Sequence, residues 1–435
     1  MHAILLLGGK SRRFWPLPDK ALFPICGKTL LEHKIAQLKA AGISKIVVVG
    51  GSHNADMVKN ILPRDATLVL QDDAAPGMHG ALMAALPLCR ESPVLIVSSN
   101  DVVEPSAIAA IIEAAAAADG GAILAQRVSR YFPGGYLTLE GNRVTGIIEK
   151  PGEGNEPSDL VNIVLHAHND PAMLLTALCE IHNGNDDGYE RAVQSLLARR
   201  AYHAVAYEGF WQPVKYPWHI LILLERALQG LKSSSIHASA QVHPTAVIEG
   251  SVWIQEGAKI LPHATLVGPC TIGKRSVIGT SALVRQSSIG DDCVIGFGTE
   301  VKGSVLSSHV WTHMSYIGDS VVGSNVAFGG GTVTGNYRLD EGDISSMCDG
   351  EMIATHLKKF GTVIGQDSRI GIRTAINPGI KIGGGSFIGG GCLLDADVPE
   401  KSFVTMEGGK MHVRPNRAVV ERPGGKEEFL KKAIG

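Results

Sequence analysis

The stretch VHPTAVIEGSVWIQEGAKILPHATLVGPCTIGKRSVIGTSALV, residues 242–284, carries an aliphatic side chain at every sixth position: Val242, Ile248, Ile254, Ile260, Leu266, Ile272, Ile278 and Val284. After a one-residue slip the phase resumes as Ile289, Ile295 and Val301, and it returns as Ile364, Ile370, Ile376, Ile382, Ile388 and Leu394, with glycine following many of these positions. Strands of a sandwich would instead alternate with period two and turn every ~8–12 residues. A six-residue unit is the repeat of a left-handed parallel β-helix: each unit forms one flat side of a triangular coil, its aliphatic residue points inward, and small residues turn the corners. The 52 glycines of the 435-residue chain fit that demand.

Between Val301 and Ile364 the phase is lost, in MSYIGDSVVGSNVAFGGGTVTGNYRLDEGDISSMCDGEMIATHLKKFG. Departures from a repeat mark functional faces, and this one concentrates polar and basic residues, so a loop is expected to leave the coil here.

Upstream the pattern differs. From Met1 to about Gln229, AILLL (3–7), KIVVVGG (45–51) and ATLVL (66–70) alternate with helical segments such as LLEHKIAQLKAAG. That order predicts a mostly parallel sheet covered on both faces, with ligands at the carboxyl ends of its strands. Ala107 to Ala118 reads as a packing helix with Ser106 as its cap. The serine-rich QGLKSSS (229–235) marks a boundary. The expected organisation is a Rossmann-like three-layer α/β domain over 1–229, a β-helix over 236–405 and a tail over 406–435.

A formal net charge of -2 provides no field that would draw nucleic acid or an acidic membrane. No run of ~18 apolar residues is present, and MHAILLLGGK lacks the cleavage site of a signal peptide, so a cytoplasmic protein is expected. The seven cysteines are scattered and odd in number, which fits a reducing compartment and argues against disulfides or a zinc site.

The run LLLGGKSRRFWPLPDKALFPICGKTLLEH (5–33) places Gly8-Gly9 after the first strand, where backbone N–H groups can approach phosphate, with Arg13 and Lys20 adding positive charge. It resembles the sugar-1-phosphate nucleotidyltransferase signature Gly-x-Gly-x-Arg with a lysine seven residues after the arginine, although Ser11 stands for the second glycine and Asp19 for a proline. The resemblance implies a GT-A-like fold, nucleotide contacts at Leu6, Gly8, Gly9, Gln71 and Gly77, catalytic roles for Arg13 and Lys20, a Mg2+ ligand at Asp101, and sugar contacts at Gly135, Glu149 and Asn162. One match fails. Where the family has Trp-x-Asp-x-Gly-x-Pro, this chain has Trp211-Gln212-Pro213-Val214-Lys215-Tyr216-Pro217. Proline cannot ligate Mg2+, and Lys215 is the candidate to supply part of the missing positive charge.

The segment Thr312-His313-Met314-Ser315-Tyr316-Ile317-Gly318-Asp319, followed by GGGTVTGNY and KKFGTVIG, resembles the acetyltransferase half of the bifunctional GlmU-type enzymes, closer to the archaeal than to the bacterial form. Histidine, with an ordinary pKa of ~6.5, suits removal of a proton from an amine, and His313 is the candidate base. The resemblance implies that Arg285, Lys302, Tyr316 and Lys359 hold a sugar phosphate, that Gly330 and Asn336 lie near acetyl-CoA, and that the molecule is a homotrimer with sites shared between subunits. Ala327 replaces an asparagine that binds sugar in bacterial members, and Arg414 and Arg417 of the tail are candidates for the CoA phosphates. The implied chemistry is N-acetylation of glucosamine 1-phosphate and its coupling to UTP, with Mg2+ and acetyl-CoA as cofactors. Two alternatives stay open: transfer to another sugar with a β-helix that serves trimerisation, and an N-terminal domain that senses a nucleotide sugar without making one.

Overall fold

The computed structural model describes residues 1–75, 77–181 and 187–418. The chain forms two compact units: Met1–Lys10 with Leu30–Val214, and Ser11–Thr29 with the chain from Lys215 onward.

The first unit is built on a nine-stranded sheet among the described residues, in the order Ala66–Leu70, Ile46–Gly50, His2–Leu6, Val94–Ser98, Leu160–His168, Gly121–Arg127, Tyr202–Tyr207, Arg143–Glu149, Gly135–Glu140. The first four strands are parallel, as their aliphatic runs predict. Leu160–His168 and Arg143–Glu149 run against the others, so the sheet is mixed rather than uniformly parallel. Helices such as Gly77–Ala85 and Gly188–Leu197 bury Leu82, Tyr189, Val193 and Leu196 against it. The alanine-rich helix spans Pro105–Ala116, with Glu104 rather than Ser106 at the cap position. Proline fills the first helical position, whose N–H needs no partner, and this moves the start two residues earlier than the serine suggested.

The second unit carries three faces of strands, with eight, ten and eight strands among the described residues, all parallel except Lys410–Pro415 at the end of the second. Inward residues stack coil upon coil: Ile254, Ile272, Ile289, Leu306, Val322, Ile364 and Ile382 on one face, and Ile248, Leu266, Val284, Val301 and Ile317 on another. The expected break from Val301 to Ile364 is narrower than the sequence suggested. Coils continue through Leu306, Thr312, Ile317, Val322, Phe328 and Thr334, and the excursion lies between Thr334 and Val363, with a hairpin of Ile344–Cys348 and Glu351–Leu357. Five-residue sides and inward threonines hid the phase.

A buried aliphatic side chain contributes ~1.5–3 kcal/mol, so an inward threonine must satisfy its hydroxyl to be tolerated. Thr334 does: its Oγ1 accepts from the Gly318 N–H at 2.9 Å and donates to the Tyr316 carbonyl at 3.4 Å. Segment Ser11–Thr29 packs in this unit, where the Cys26 N–H donates to Ser288 Oγ at 2.9 Å and the Lys381 ammonium lies 4.9 Å from the Trp15 ring centroid. The coil ends in an antiparallel pair, Ser402–Glu407 with Lys410–Pro415, and residues 419–435 of the expected tail lie outside the described residues.

Candidate active sites

In the first unit the expected nucleotide residues gather at the carboxyl ends of the parallel strands. Leu6 closes the first strand, and a Cβ on Gly8 would stand 2.1 Å from Gln71 Oε1, so only glycine lets that amide lie across the loop. Gln71 donates through Nε2 to the carbonyls of Ala75 (2.6 Å) and Gly77 (2.9 Å). Both amide hydrogens are thereby used, which leaves Oε1, lying over Gly8, as the acceptor of this amide. Asn54, which the sequence did not single out, is buried and braces this end: Oδ1 accepts from the Gly51 N–H and Nδ2 donates to the Leu7 carbonyl, both at 3.0 Å.

Gly135, Glu149 and Asn162 are brought together. Gly135 pairs with Glu149 across the ladder, and a Cβ on Gly135 would lie 3.0 Å from Glu149 Oε2 and 3.6 Å from Asn162 Cβ. Arg13 and Lys20 belong to the segment that packs with the second unit, where the Arg13 guanidinium lies 6.0 Å from the Tyr216 ring centroid.

Asp101 accepts from Trp211 Nε1 at 2.9 Å, and its backbone carbonyl accepts from the Lys34 ammonium. Lys34 is buried, and desolvation pushes its pKa down to about 8, against the opposing pull of Asp101. Across the short ladder the residue opposite Asp101 is Pro213. No cluster of three acidic, histidine or cysteine side chains suited to a metal occurs among the described residues. Mg2+ is usually held by one or two carboxylates together with substrate phosphates. Asp101 therefore fits a metal that arrives with a triphosphate and does not build a resident site.

In the second unit a cavity of about 480 Å3 is lined by Arg285, Lys302, Tyr316, Asn336, Tyr337 and Lys359. Five of these six were singled out from the sequence; Tyr337 was not, because it lies in the excursion and its place depends on pairing with Lys359. Arg285, Lys302 and Gly318 are register partners on successive coils, which is why residues 17 and 16 apart in the chain share one wall. Acidic partners position the cations: Arg285 Nε donates to Glu300 at 2.9 Å, and Lys302 pairs with Asp319 at 3.1 Å. Lys359 makes no ion pair among the described residues, so the wall holds an excess of positive charge suited to a phosphate. Asn336 Nδ2 donates to Tyr316 Oη at 3.2 Å and to the Asp319 carboxylate. Both groups lie over Gly318, whose added Cβ would come within 2.6 Å of Asn336 Nδ2 and 2.7 Å of Tyr316 Oη.

His313 does not line this cavity. It is exposed at the corner that precedes Tyr316–Gly318, whereas Arg285 and Lys302 sit at the far end of the same face. Gly330 stands on the next coil, and a Cβ there would be 3.5 Å from His313 Cδ2, so the two expected residues are neighbours. The buried cysteines offer no competing nucleophile: burial pushes the Cys270 and Cys293 thiols up to about 12.

The chain is similar to known proteins over most of its length. Residues 3–243 match the MobA-like NTP transferase domain family, and residues 231–337 match the GMPPB C-terminal domain. The chain is 30% identical over 409 residues to a bifunctional sugar-1-phosphate nucleotidylyltransferase/acetyltransferase of Sulfurisphaera tokodaii, covering 93% of this chain and 99% of that one. It is 28% identical over 411 residues to the bifunctional protein GlmU of Methanococcus maripaludis, covering 93% and 97%. It is 27% identical over 463 residues to the protein of the same name from Halalkalibacterium halodurans, covering 92% and 95%.

Proposed function

We infer that this chain, which belongs to the family of bifunctional sugar-1-phosphate nucleotidylyltransferases/acetyltransferases, makes UDP-N-acetylglucosamine by two transfers. The first acetylates glucosamine 1-phosphate, and the second couples the product to UTP with release of pyrophosphate. The observation that carries the reading is the cavity in which Arg285, Lys302, Tyr316, Asn336 and Lys359 converge. Its cations suit the phosphate, and its Tyr316 phenol suits a sugar hydroxyl.

Acetyl-CoA supplies the acetyl group as a thioester. His313 takes the proton released as the amine nitrogen bonds to the acetyl carbon, and the thiol sulfur leaves with a proton. Asn336 and the bare Gly330 flank the approach. Because His313 stands apart from the phosphate wall within one chain, we place the complete site between copies in a trimer of left-handed β-helices. Exposed Phe297, Met314 and Ile372 beside the His313 corner, 50%, 53% and 61% accessible, support such an apolar interface.

For the second transfer, the backbone at Gly8 and Gly9 cradles phosphates, and Arg13 and Lys20 offset the charge developing on them. Asp101 would hold Mg2+ bound together with UTP, Gln71 Oε1 accepts from the uracil N–H, and Gly135, Glu149 and Asn162 receive the sugar. Lys215 contributes part of the charge a second carboxylate-bound metal would have balanced. We assign the uridylyl transfer to residues 1–229 and the acetyl transfer to residues 236–405, with 406–435 as a tail bearing Arg414 and Arg417.

The test is free thiol release from acetyl-CoA with glucosamine 1-phosphate, alongside pyrophosphate release from UTP with N-acetylglucosamine 1-phosphate. Thiol release that His313→Ala abolishes is expected; its absence in the wild type rejects the acetyltransferase reading. Absence of pyrophosphate with UTP, across a panel of sugar 1-phosphates, would leave the first unit as a nucleotide-sugar binder, a reading that Pro213 favours. Unchanged pyrophosphate release in Lys215→Ala rejects the role given to that lysine.

A further inference from the structure

Behind Asn162 runs an unbroken buried relay of side chains that neither transfer requires. Asn162 Oδ1 lies 2.8 Å from His166 Nε2, His166 Nδ1 lies 2.7 Å from Tyr189 Oη, Tyr189 Oη lies 3.0 Å from His168 Nε2, and His168 Nδ1 lies 2.8 Å from Tyr202 Oη. All four ring residues are buried, and the His166 and Tyr189 rings stack with centroids 5.7 Å apart. Desolvation pushes the imidazoles down to about 4 and about 3 and raises both phenols, so all four groups are neutral at physiological pH.

A neutral imidazole has one donor and one acceptor nitrogen, and a phenol donates once. In one consistent direction, Tyr202 donates to His168 Nδ1, His168 Nε2–H to Tyr189, Tyr189 to His166 Nδ1, and His166 Nε2–H to Asn162 Oδ1. Every donor is then used once, and no buried acceptor in the relay is left bare. The Asn162 amide has its oxygen engaged by His166, which leaves Nδ2 as its remaining donor, on a residue whose Cβ would lie 3.6 Å from a Cβ on Gly135. Glu149 beside it is an acceptor.

We propose that His166, Tyr189, His168 and Tyr202 are positioning residues that fix the Asn162 amide as a hydrogen-bond donor to a sugar oxygen, so that sugar selection depends on a phenol that never touches the sugar. The proposal rests on the sugar-binding reading of Asn162 given above. The Asn162–Glu149 pair then selects a pyranose presenting an acceptor oxygen to Nδ2 and a hydroxyl proton to the carboxylate.

The experiment uses the full chain and measures KM for N-acetylglucosamine 1-phosphate, KM for UTP, kcat, and the Kd of UDP-N-acetylglucosamine by calorimetry. Asn162→Ala, His166→Phe, His166→Gln and Tyr202→Phe are compared. His166→Phe is expected to raise the sugar-phosphate KM and the product Kd about tenfold, the size of one buried hydrogen bond lost with its partner left unpaired, with kcat and the UTP KM nearly constant. His166→Gln, which restores a donor near Nε2, recovers most of the loss. Tyr202→Phe gives a smaller rise of about threefold in the same two constants, and it adds nothing in an Asn162→Ala background. If Asn162→Ala raises the sugar constants while His166→Gln matches His166→Phe and Tyr202→Phe has no effect, the relay is structural only and the proposal falls alone. An Asn162→Ala enzyme with unchanged sugar constants overturns the sugar-site reading and the proposal with it. Should His166→Phe not fold, the Tyr202→Phe and double-variant comparison decides.

Discussion

Pro213 stands directly opposite Asp101 in the antiparallel ladder of Trp211–Pro213 with Asp101–Val103. A carboxylate at that position would face the same ligand space, so its replacement by proline halves the acidic donor set of the first unit. The local backbone is suited to the change back, because neighbouring Val214 N–H keeps its own bond to the Asn100 carbonyl at 2.7 Å. Pro213→Asp should lower the Mg2+ concentration that half-saturates pyrophosphate release by roughly tenfold, the effect of ~1.4 kcal/mol. Titrating activity against Mg2+ in both proteins checks this.

Gly318 lies beneath the Asn336 amide and the Tyr316 hydroxyl, with no room for a methyl group. Gly318→Ala should cut acetyl transfer at least tenfold by displacing both. Its N–H still reaches Thr334, so thermal stability should change much less than activity. Thiol release and a melting curve on one preparation separate the two effects.

Lys359 brings positive charge to the cavity without an acidic partner among the described residues. Lys359→Ala should raise the KM for glucosamine 1-phosphate by roughly tenfold or more, as expected for one charged contact to phosphate. The acetyl-CoA KM should hold. Added salt should weaken the wild type toward the variant, and initial rates at several ionic strengths test it.

His166 and His168 have folded-state pKa values of about 4 and about 3, below the ordinary 6.5. Between 6.5 and those values the unfolded chain binds more protons than the folded one, so stability falls as pH falls, and above 6.5 neither ring contributes a slope. The loss accumulated by pH 4 is on the order of 2–3 kcal/mol for each ring. His168→Phe should be less stable at pH 7 but show a flatter decline from pH 6.5 to pH 4. Denaturation midpoints across that range are the measurement.

Periodicity made the coil readable wherever an inward aliphatic residue recurred, from Val242 to Val301 and from Ile364 to Leu394. It failed at Thr312 and Thr334, since a period read from apolar side chains cannot see a hydroxyl satisfied by the preceding coil's backbone. The convergence of Arg285, Lys302, Tyr316 and Lys359 on one cavity was legible through motif resemblance. The acidic partners Glu300 and Asp319, and Tyr337, were not, because their roles arise from register between coils. The relay behind Asn162 was invisible for the same reason: Tyr189 and Tyr202 reach it from a helix and a strand separate from Leu160–His168.

The packing of Ser11–Thr29 in the second unit means that the chain crosses between units after Lys10, after Thr29 and after Val214. No single cleavage can then release either half intact. A fragment ending at residue 229 would keep Arg13 and Lys20 in its sequence but lose the coils against which their segment folds, and a fragment beginning at 236 would lose Cys26 and Trp15 from its flank. The two units are joined by interleaved chain, so neither corresponds to one continuous stretch of sequence.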